Sequence, residues 1–389
     1  MDISALRRIL LDLVGTVQGS DPSGLNARDW LTLDHMAAQH RLQPLLHAQH
    51  RNNTAIPATI AAGWRTAHRS AAIVTLAQAA DLRATIGVLE AEGLAPIALK
   101  GAWLAHHAYP EAAQRPARDI DLLLDRASVL AAFELLQARG FALESSPEMA
   151  IPDILRLDKH MPPLLAPNGT RIELHQHLWE QDGRLDHASP VARDDQLRAR
   201  AKRATDGILY PAGEDMLAHL IVHAVYSHRL DCGPLLLADV DFLLRQVAID
   251  WPSFWSRCAQ EGWQRGARLV LELVARYRTG SPIALTADPG PAPAPELIAA
   301  APDLLLQELT TRQSAGFAAT MYHPAWFLAR IAGRRSTGDG AAASRDMASQ
   351  GGFLRWASSR FGRTFSELTK ADVRRQSREL ARISSWLDQ

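Results

Sequence analysis

Apolar residues recur at helical spacing over most of the first ninety positions. Near the start, four apolar residues have the spacing i, i+3, i+4, i+7 of an amphipathic helix: Leu6, Ile9, Leu10 and Leu13. From Ala71 to Glu92 an apolar stripe is predicted to include Leu76, Ala79, Ala80, Leu82, Ile86 and Leu89. Gly93 is placed where a glycine commonly ends a helix. The pattern therefore predicts a helical N-terminal region over residues 1–92.

The pattern changes after residue 93, where short apolar runs alternate with turn residues. Strands are predicted at 96–99, 119–124, 141–143, 164–166 and 170–175. Asn168-Gly169 between the last two runs is a strong hairpin signal. Ser128 is predicted to cap a helix that ends at Gly140. A small mixed β-sheet with helices is thus predicted over residues 93–180.

Helical spacing returns in the remainder of the chain. Helices are predicted at 214–225, 235–247 and 263–277. They belong to a helical region over 181–285 that is expected to pack on the sheet. The Pro-rich stretch 288–295 is typical of a linker, and a C-terminal helical region is predicted over 296–389, interrupted by a Gly/Ser-rich loop at 333–340. The fold class is α+β, with a small mixed sheet flanked by mostly helical regions.

Composition limits the classes of function. The 389 residues contain 42 Lys plus Arg and 42 Asp plus Glu, and this balance makes a nucleic-acid partner unlikely. Two cysteines, Cys232 and Cys258, give no disulfide framework and have no nucleophile context. The first residues do not resemble a signal peptide, and no apolar run is expected to span a membrane, so a cytoplasmic location is predicted.

Carboxylates concentrate on two of the predicted strands. Asp119 and Asp121 alternate with apolar residues and therefore project from one face, as do Glu173 and His175. If these strands are neighbours, three carboxylates converge, and their mutual repulsion favours a bound divalent cation. Oxygen ligands favour Mg²⁺ or Mn²⁺. Asp119, Asp121 and Glu173 are the predicted catalytic and metal-binding residues of a two-metal phosphoryl-transfer site.

A phosphate-binding segment is predicted just before these carboxylates. Gly101 allows close approach of the backbone to a phosphate at a helix start, and Lys100 supplies positive charge. Arg115 and Arg118 could add more. These four residues are the predicted nucleotide-binding set.

The run from Leu99 to Leu124, followed by RIELHQHLW at Arg171 to Trp179, resembles the uncharacterised nucleotidyltransferase family of the DNA polymerase β superfamily. The matching motifs are Lys100-Gly101, Tyr109-Pro110, Arg115-Pro116, Asp119-x-Asp121 and Glu173-x-His175. The resemblance covers roughly residues 30 to 260. It implies a nucleotidyltransferase core, in which the carboxylates hold metal and Glu173 helps to deprotonate the acceptor.

The activity that the resemblance implies is transfer of an NMP group from an NTP, such as ATP, to a hydroxyl or amine. The acceptor is a small molecule, a peptide or a protein. Two alternatives stay open: kinase-like phosphoryl transfer, and an antitoxin-like binding module without catalysis. Ala102 favours the latter, because the superfamily usually has Ser or Gly after the first glycine.

Histidines and further acids have simpler interpretations. His175 and His177 could ligate Zn²⁺, but roles in orientation and structure are preferred because no third soft ligand is evident. His219 and His223 are expected on a helix face near the cleft, and His175 and His223 are possible substrate contacts. Asp239 is expected to form a cap or an ion pair.

Overall fold

The computed structural model describes residues 1–15, 22–147, 150–178, 190–285, 288–309, 312, 315, 319 and 370–388. The chain divides into two compact units, one formed by Met1–His228 and Pro234–Ala292 and the other by Arg229–Gly233 and Pro293–Gln389. The predicted Gly/Ser-rich loop at 333–340 lies outside the described residues.

The first unit begins with helices, and the sequence predicts a helical region there. They are α1 (Ile3–Val14), α2 (Ala27–Gln39), α3 (Gln43–His50) and α4 (Ala58–Ala91). Asp2 accepts a hydrogen bond from the backbone of Ala5 at the start of α1. A capping box between Asn26 and Asp29 starts α2. The starts of α1 and α2 thus satisfy backbone donors that would otherwise lack partners.

The long helix α4 differs from the prediction in two respects. Leu76 was expected on the buried stripe, but it is 71% exposed and Ala80 is also exposed, whereas Ala79 and Leu82 are buried. The expectation that no apolar run reaches membrane-spanning length was wrong for α4, because its 34 residues are long and apolar enough by length and composition. One such helix is weak evidence for a membrane span, since a core helix passes the same test.

A mixed five-stranded sheet forms the centre of the first unit, which confirms the α+β class. The strands are β1 (Ile97–Ala98), β2 (Asp119–Leu123), β3 (Ala142–Leu143), β4 (Leu164–Leu165) and β5 (Arg171–His175), in the order β1-β2-β5-β4-β3. β2 and β5 are parallel, and the other neighbours are antiparallel. The β4–β5 hairpin turns at Gly169, whose φ of +86° explains the glycine.

Further helices lie between and after the strands along the chain. They are α5 (Gly101–Trp103), α6 (Val129–Ala138), α7 (Ile151–Leu157), α8 (Pro190–Arg200), α9 (Gly213–Val222), α10 (Leu235–Gln246), α11 (Trp251–Gln260) and α12 (Gln264–Tyr277). A second, two-stranded sheet pairs β6 (Lys202–Arg203) with β7 (Leu209–Tyr210). The predicted cap by Ser128 was wrong, since its side chain donates to the carbonyl of Asp125 and makes no capping bond.

The core of the sheet is apolar on the face opposite the carboxylates. Ile120, Leu122, Ile172 and Leu174 are buried there with residues of α4 and α6. This alternation fixes the direction in which the intervening polar side chains project. In the second unit, α13 (Pro295–Leu305) contacts α14 (Ala371–Leu387).

Candidate active site

The parallel pairing of β2 with β5 brings the predicted carboxylates together. Asp121 lies opposite Glu173 and Asp119 lies opposite Arg171 in the strand register. Because side chains alternate between the faces of a sheet, these four residues and His175 project from one face. The strand pairing on which the predicted convergence depends is therefore present.

Asp121, Glu173 and His175 form a group that could hold a metal ion. Each residue offers a ligand atom, and the three atoms lie within 4.8 Å of one another. His175 Nε2 donates to Asp121 Oδ1 at 2.9 Å and lies 3.6 Å from Glu173 Oε2. The donor set of two carboxylates and one imidazole suits a divalent cation. His175 thus joins a ligand group that the sequence analysis assigned to three carboxylates.

The electrostatics of this group are consistent with a cation-binding site. Burial would raise the pKa of Asp121, but Lys100 and the hydrogen bond from His175 outweigh it, so the pKa lies well below its ordinary value. Burial would lower the pKa of His175, yet its hydrogen bond to Asp121 and the nearby carboxylate of Glu173 raise it. Asp121 is therefore ionised at neutral pH, as a cation ligand must be.

Asp119 is separated from this group by an arginine. Arg171 Nη2 lies 3.0 Å from Glu173 Oε1, and its Nη1 lies 3.9 Å from Asp119 Oδ2. Its Nε lies 3.1 Å from Glu144 Oε2. Burial and the charges of Asp121 and Glu173 raise the pKa of Asp119. Arg171 was missed by sequence reasoning, although its position two residues before Glu173 places it on the same strand face.

Lys100 reaches the carboxylates from an unusual backbone conformation. Its φ of 35° and ψ of −104° lie in a sparsely populated region that costs about 1–3 kcal/mol for a residue with a side chain. Lys100 Nζ lies 3.5 Å from Asp121 Oδ2 and donates to His223 Nε2 at 3.4 Å. The neighbouring Leu99 N–H donates to the Asp121 carbonyl at 3.0 Å. Strain of this kind concentrates at functional sites.

Gly101 and Arg115 are in contact with each other. A Cβ on Gly101 would lie 2.4 Å from Arg115 Nη1, so a larger residue here would displace the Arg115 guanidinium. Arg115 donates from Nε and Nη2 to the two oxygens of Asp239, each at 3.0 Å, and Tyr109 donates to Asp239 at 2.7 Å. The expected ion pair of Asp239 is confirmed. Two of the three guanidinium nitrogens of Arg115 are thus engaged by protein.

Arg118, the last member of the predicted nucleotide-binding set, lies at the edge of the site. Its side chain is exposed. In the part of the chain that the structure describes, Arg118 makes no hydrogen bond or ion pair. Its guanidinium is therefore accessible to a ligand.

Histidines of α9 and of the turn that follows it lie near Lys100. His219 and His223, on α9 and directly after it, have ring centroids 5.9 Å apart, and those of His223 and His228 are 4.3 Å apart. Burial, assisted by the charge of Lys100, lowers the pKa of His219 and His223 well below the ordinary value. Both imidazoles are therefore neutral at pH 7. His177 donates to the buried Asp194, in accordance with the structural role preferred for it.

Two π-helical turns border the site. One continues α5 over Leu104–Ala108, and the other continues α9 over His223–Ser227. π-Helical turns are rare and occur frequently at functional sites. The sequence predicts a helix start after Gly101 and a helix over 214–225, and apolar spacing does not distinguish π-helical from α-helical turns.

A cleft lies beside Asp119, between α4 and the segment from Gly101 to His106. Its volume is about 20 Å³, room for about one water molecule, and Arg115, Ala117 and Asp119 are among the residues that line it. A second cleft of about 190 Å³ adjoins it and is lined by Arg83, His107, Asp206 and Tyr210. Both clefts border His106. The larger space therefore lies beside His107 and Asp206 rather than beside Asp119.

The chain matches a known protein family over most of its length. The model of a family described as "Uncharacterised nucleotidyltransferase" matches residues 26–279, which include the whole five-stranded sheet and every site residue described above. Neither a search of curated proteins nor a search of solved structures found a significant match.

Proposed function

Because the chain belongs to the uncharacterised nucleotidyltransferase family, we propose that it transfers an NMP group from an NTP to a hydroxyl or amine. The observation that carries the proposal is the group of Asp121, Glu173 and His175 beside Lys100, with ligand atoms within 4.8 Å. The acceptor is a small molecule, a peptide or a protein, in accordance with a net charge of zero.

Asp121, Glu173 and His175 would hold a divalent cation, Mg²⁺ or Mn²⁺. The fit rests on two carboxylates kept ionised in a buried place, where like charges repel unless a cation lies between them. Asp119, two residues before Asp121 on the same strand face, would help to hold a second cation together with the triphosphate. Bound cations would stabilise the negative charge that develops on the phosphoryl oxygens.

In the proposed reaction an acceptor oxygen or nitrogen attacks the α-phosphorus of the NTP. The new bond to phosphorus forms as the bond to the oxygen bridging to the β-phosphate breaks, and pyrophosphate leaves. Glu173 accepts the proton of the acceptor. It is available as an ionised carboxylate because the nearby imidazoles of His175 and His160 offset burial and lower its pKa. Lys100 and Arg118 bind phosphate oxygens, and neutral His223 orients Lys100.

The test is cation-dependent NTP binding, followed by label transfer. Wild-type protein is expected to bind ATP or another NTP only with Mg²⁺ or Mn²⁺, and Asp121→Asn is expected to abolish this binding. Asp195→Asn, which changes an exposed carboxylate on α8 in the same way, serves as the matched control. A wild-type protein that binds none of the four NTPs with either cation would overturn the proposal.

Label position separates nucleotidyl transfer from the kinase-like alternative. With a pool of candidate acceptors, including the protein itself, transfer of label from α-³²P-NTP indicates nucleotidyl transfer, and transfer only from γ-³²P-NTP indicates a kinase. Cation-dependent binding without transfer or pyrophosphate release would favour the binding module. Ala102, which supplies no hydroxyl next to Gly101, is the feature that keeps this alternative open.

A further inference from the structure

Arg41 occupies a helix end where glycine is the usual residue. At the end of α2, Arg41 N–H donates to the carbonyl of Ala38 and Leu42 N–H donates to that of Ala37, which is the hydrogen-bond pattern of a Schellman motif. The φ of Arg41 is +56°. An L side chain in this region costs roughly 1–2 kcal/mol.

Three other helices of the chain end with the same pair of hydrogen bonds. In α4, α6 and α11 the corresponding residue is Gly93, Gly140 or Gly262, each with positive φ. Of these four helix ends, three have glycine at this position, and the end of α2 has arginine. Since the backbone gains nothing from the arginine, its side chain is the part that has a role.

The side chain of Arg41 extends to the segment that leads into β2. Its Nη1 donates to the carbonyl of Pro116 at 3.1 Å. Its Nε is buried and makes no hydrogen bond within the described residues. A buried guanidinium nitrogen without an acceptor is costly, and an anion can supply the acceptor.

Positive charge exceeds negative charge around Arg41. Burial lowers the pKa of Arg41 to about 10, and the neighbouring charges of Arg118 and Arg115 contribute to that decrease. Arg115 has a counterion in Asp239, whereas Arg118 makes no ion pair in the described part of the chain. At neutral pH three guanidinium groups are thus charged close to Asp119, and an anionic ligand would reduce their repulsion.

We propose that Arg41, with Arg118, binds the phosphate chain of the nucleotide beside Asp119. This inference rests on the proposed function and names a residue of α2 for the same site. Planar guanidinium groups bind phosphate oxygens through two parallel N–H donors. The triphosphate would supply the missing acceptor of Arg41 Nε while its cation is held by Asp121, Glu173 and His175.

The decisive variant is Arg41→Gly, because glycine is preferred by the backbone at this position. We expect its midpoint of thermal unfolding to equal or exceed that of the wild type. Binding of Mn²⁺-ATP and of inorganic triphosphate, measured by calorimetry, is expected to weaken at least tenfold. Arg41→Lys retains the charge without the fork of donors and is expected to bind with intermediate affinity.

The matched control is Arg28→Ala, which removes one exposed positive charge from the first turn of α2. A helix of this length places Arg28 roughly 20 Å from Arg41, beyond the Debye length of about 10 Å at 0.1 M salt. The control is therefore expected to bind ATP and triphosphate as the wild type does.

The possible failures are distinguishable. If Arg41→Gly binds both ligands like the wild type while Asp121→Asn binds neither, the inference is overturned and the proposed function stands. A wild type that binds neither ligand overturns both. If the Gly and Lys variants both unfold more than about 5 °C below the wild type, Arg41 acts in folding and the inference is overturned.

Discussion

The buried pair of Arg115 and Asp239 allows a direct test of whether Arg115 stabilises the fold or binds the nucleotide. The side chains are 14% and 6% exposed and share two hydrogen bonds at 3.0 Å. Arg115→Ala would leave the Asp239 carboxylate buried with the hydroxyl of Tyr109. Removing one partner of such a pair costs about 3–5 kcal/mol. For a domain of this size that corresponds to a decrease in unfolding midpoint on the order of 10 °C.

The assay is urea unfolding monitored by tryptophan fluorescence. ATP affinity is measured on the same protein preparations without urea. Arg139→Ala is the control, because Arg139 and its partner Glu92 are 52% and 53% exposed and such pairs contribute about 0–1 kcal/mol. A loss below about 1 kcal/mol for Arg115→Ala would refute the structural role. If that small loss came with abolished ATP binding, Arg115 would be a nucleotide ligand, as the sequence predicts.

Three further outcomes are expected. Gly101→Ala should destabilise the protein by about 1–3 kcal/mol in urea unfolding because its Cβ meets the fixed Arg115 guanidinium, and stability equal to that of the wild type would contradict this contact. Asp119→Asn should raise the midpoint of thermal unfolding at pH 7 in the absence of cation, and it should weaken Mn²⁺ binding. The pKa of Asp119 is raised in the folded protein, so its ionised carboxylate opposes folding at a pH above that pKa. A lower midpoint for the variant would contradict this reasoning. Mn²⁺ affinity should fall as the pH decreases from 7 to 5, because the raised pKa values of Asp119 and His175 let protons compete with the metal, and a flat titration profile by calorimetry would exclude both residues as ligands.

The sequence predicted the carboxylates of the site because their signal is local. Asp119, Asp121 and Glu173 alternate with apolar residues, and alternation alone determines which face they share. The pairing of β2 with β5 could not be derived in this way, because strand neighbours depend on the path of the whole chain. Arg171 was missed for this reason, although its strand face was predictable.

Other parts of the site depend on residues distant in sequence or on backbone conformation. Asp239 engages Arg115 from 124 positions away, so no local pattern links the pair. The positive φ of Arg41 and of Lys100 could not be predicted from the sequence, because positive φ is expected of glycine. Leu76 was expected on the apolar stripe of α4, but its side chain is exposed. Alanines occur on every side of this helix, so the spacing of apolar residues does not identify the buried face.

The contact between His223 and Lys100 predicts how a truncated fragment of the protein would behave. A fragment that ended after β5 would keep all the carboxylates and Lys100, yet it would lack the imidazole that receives the lysine's hydrogen bond at 3.4 Å. The ammonium group would then be free to rotate away from Asp121. Excision of the sheet alone is thus expected to give a polypeptide whose acids are intact but whose cationic partner is no longer held in position.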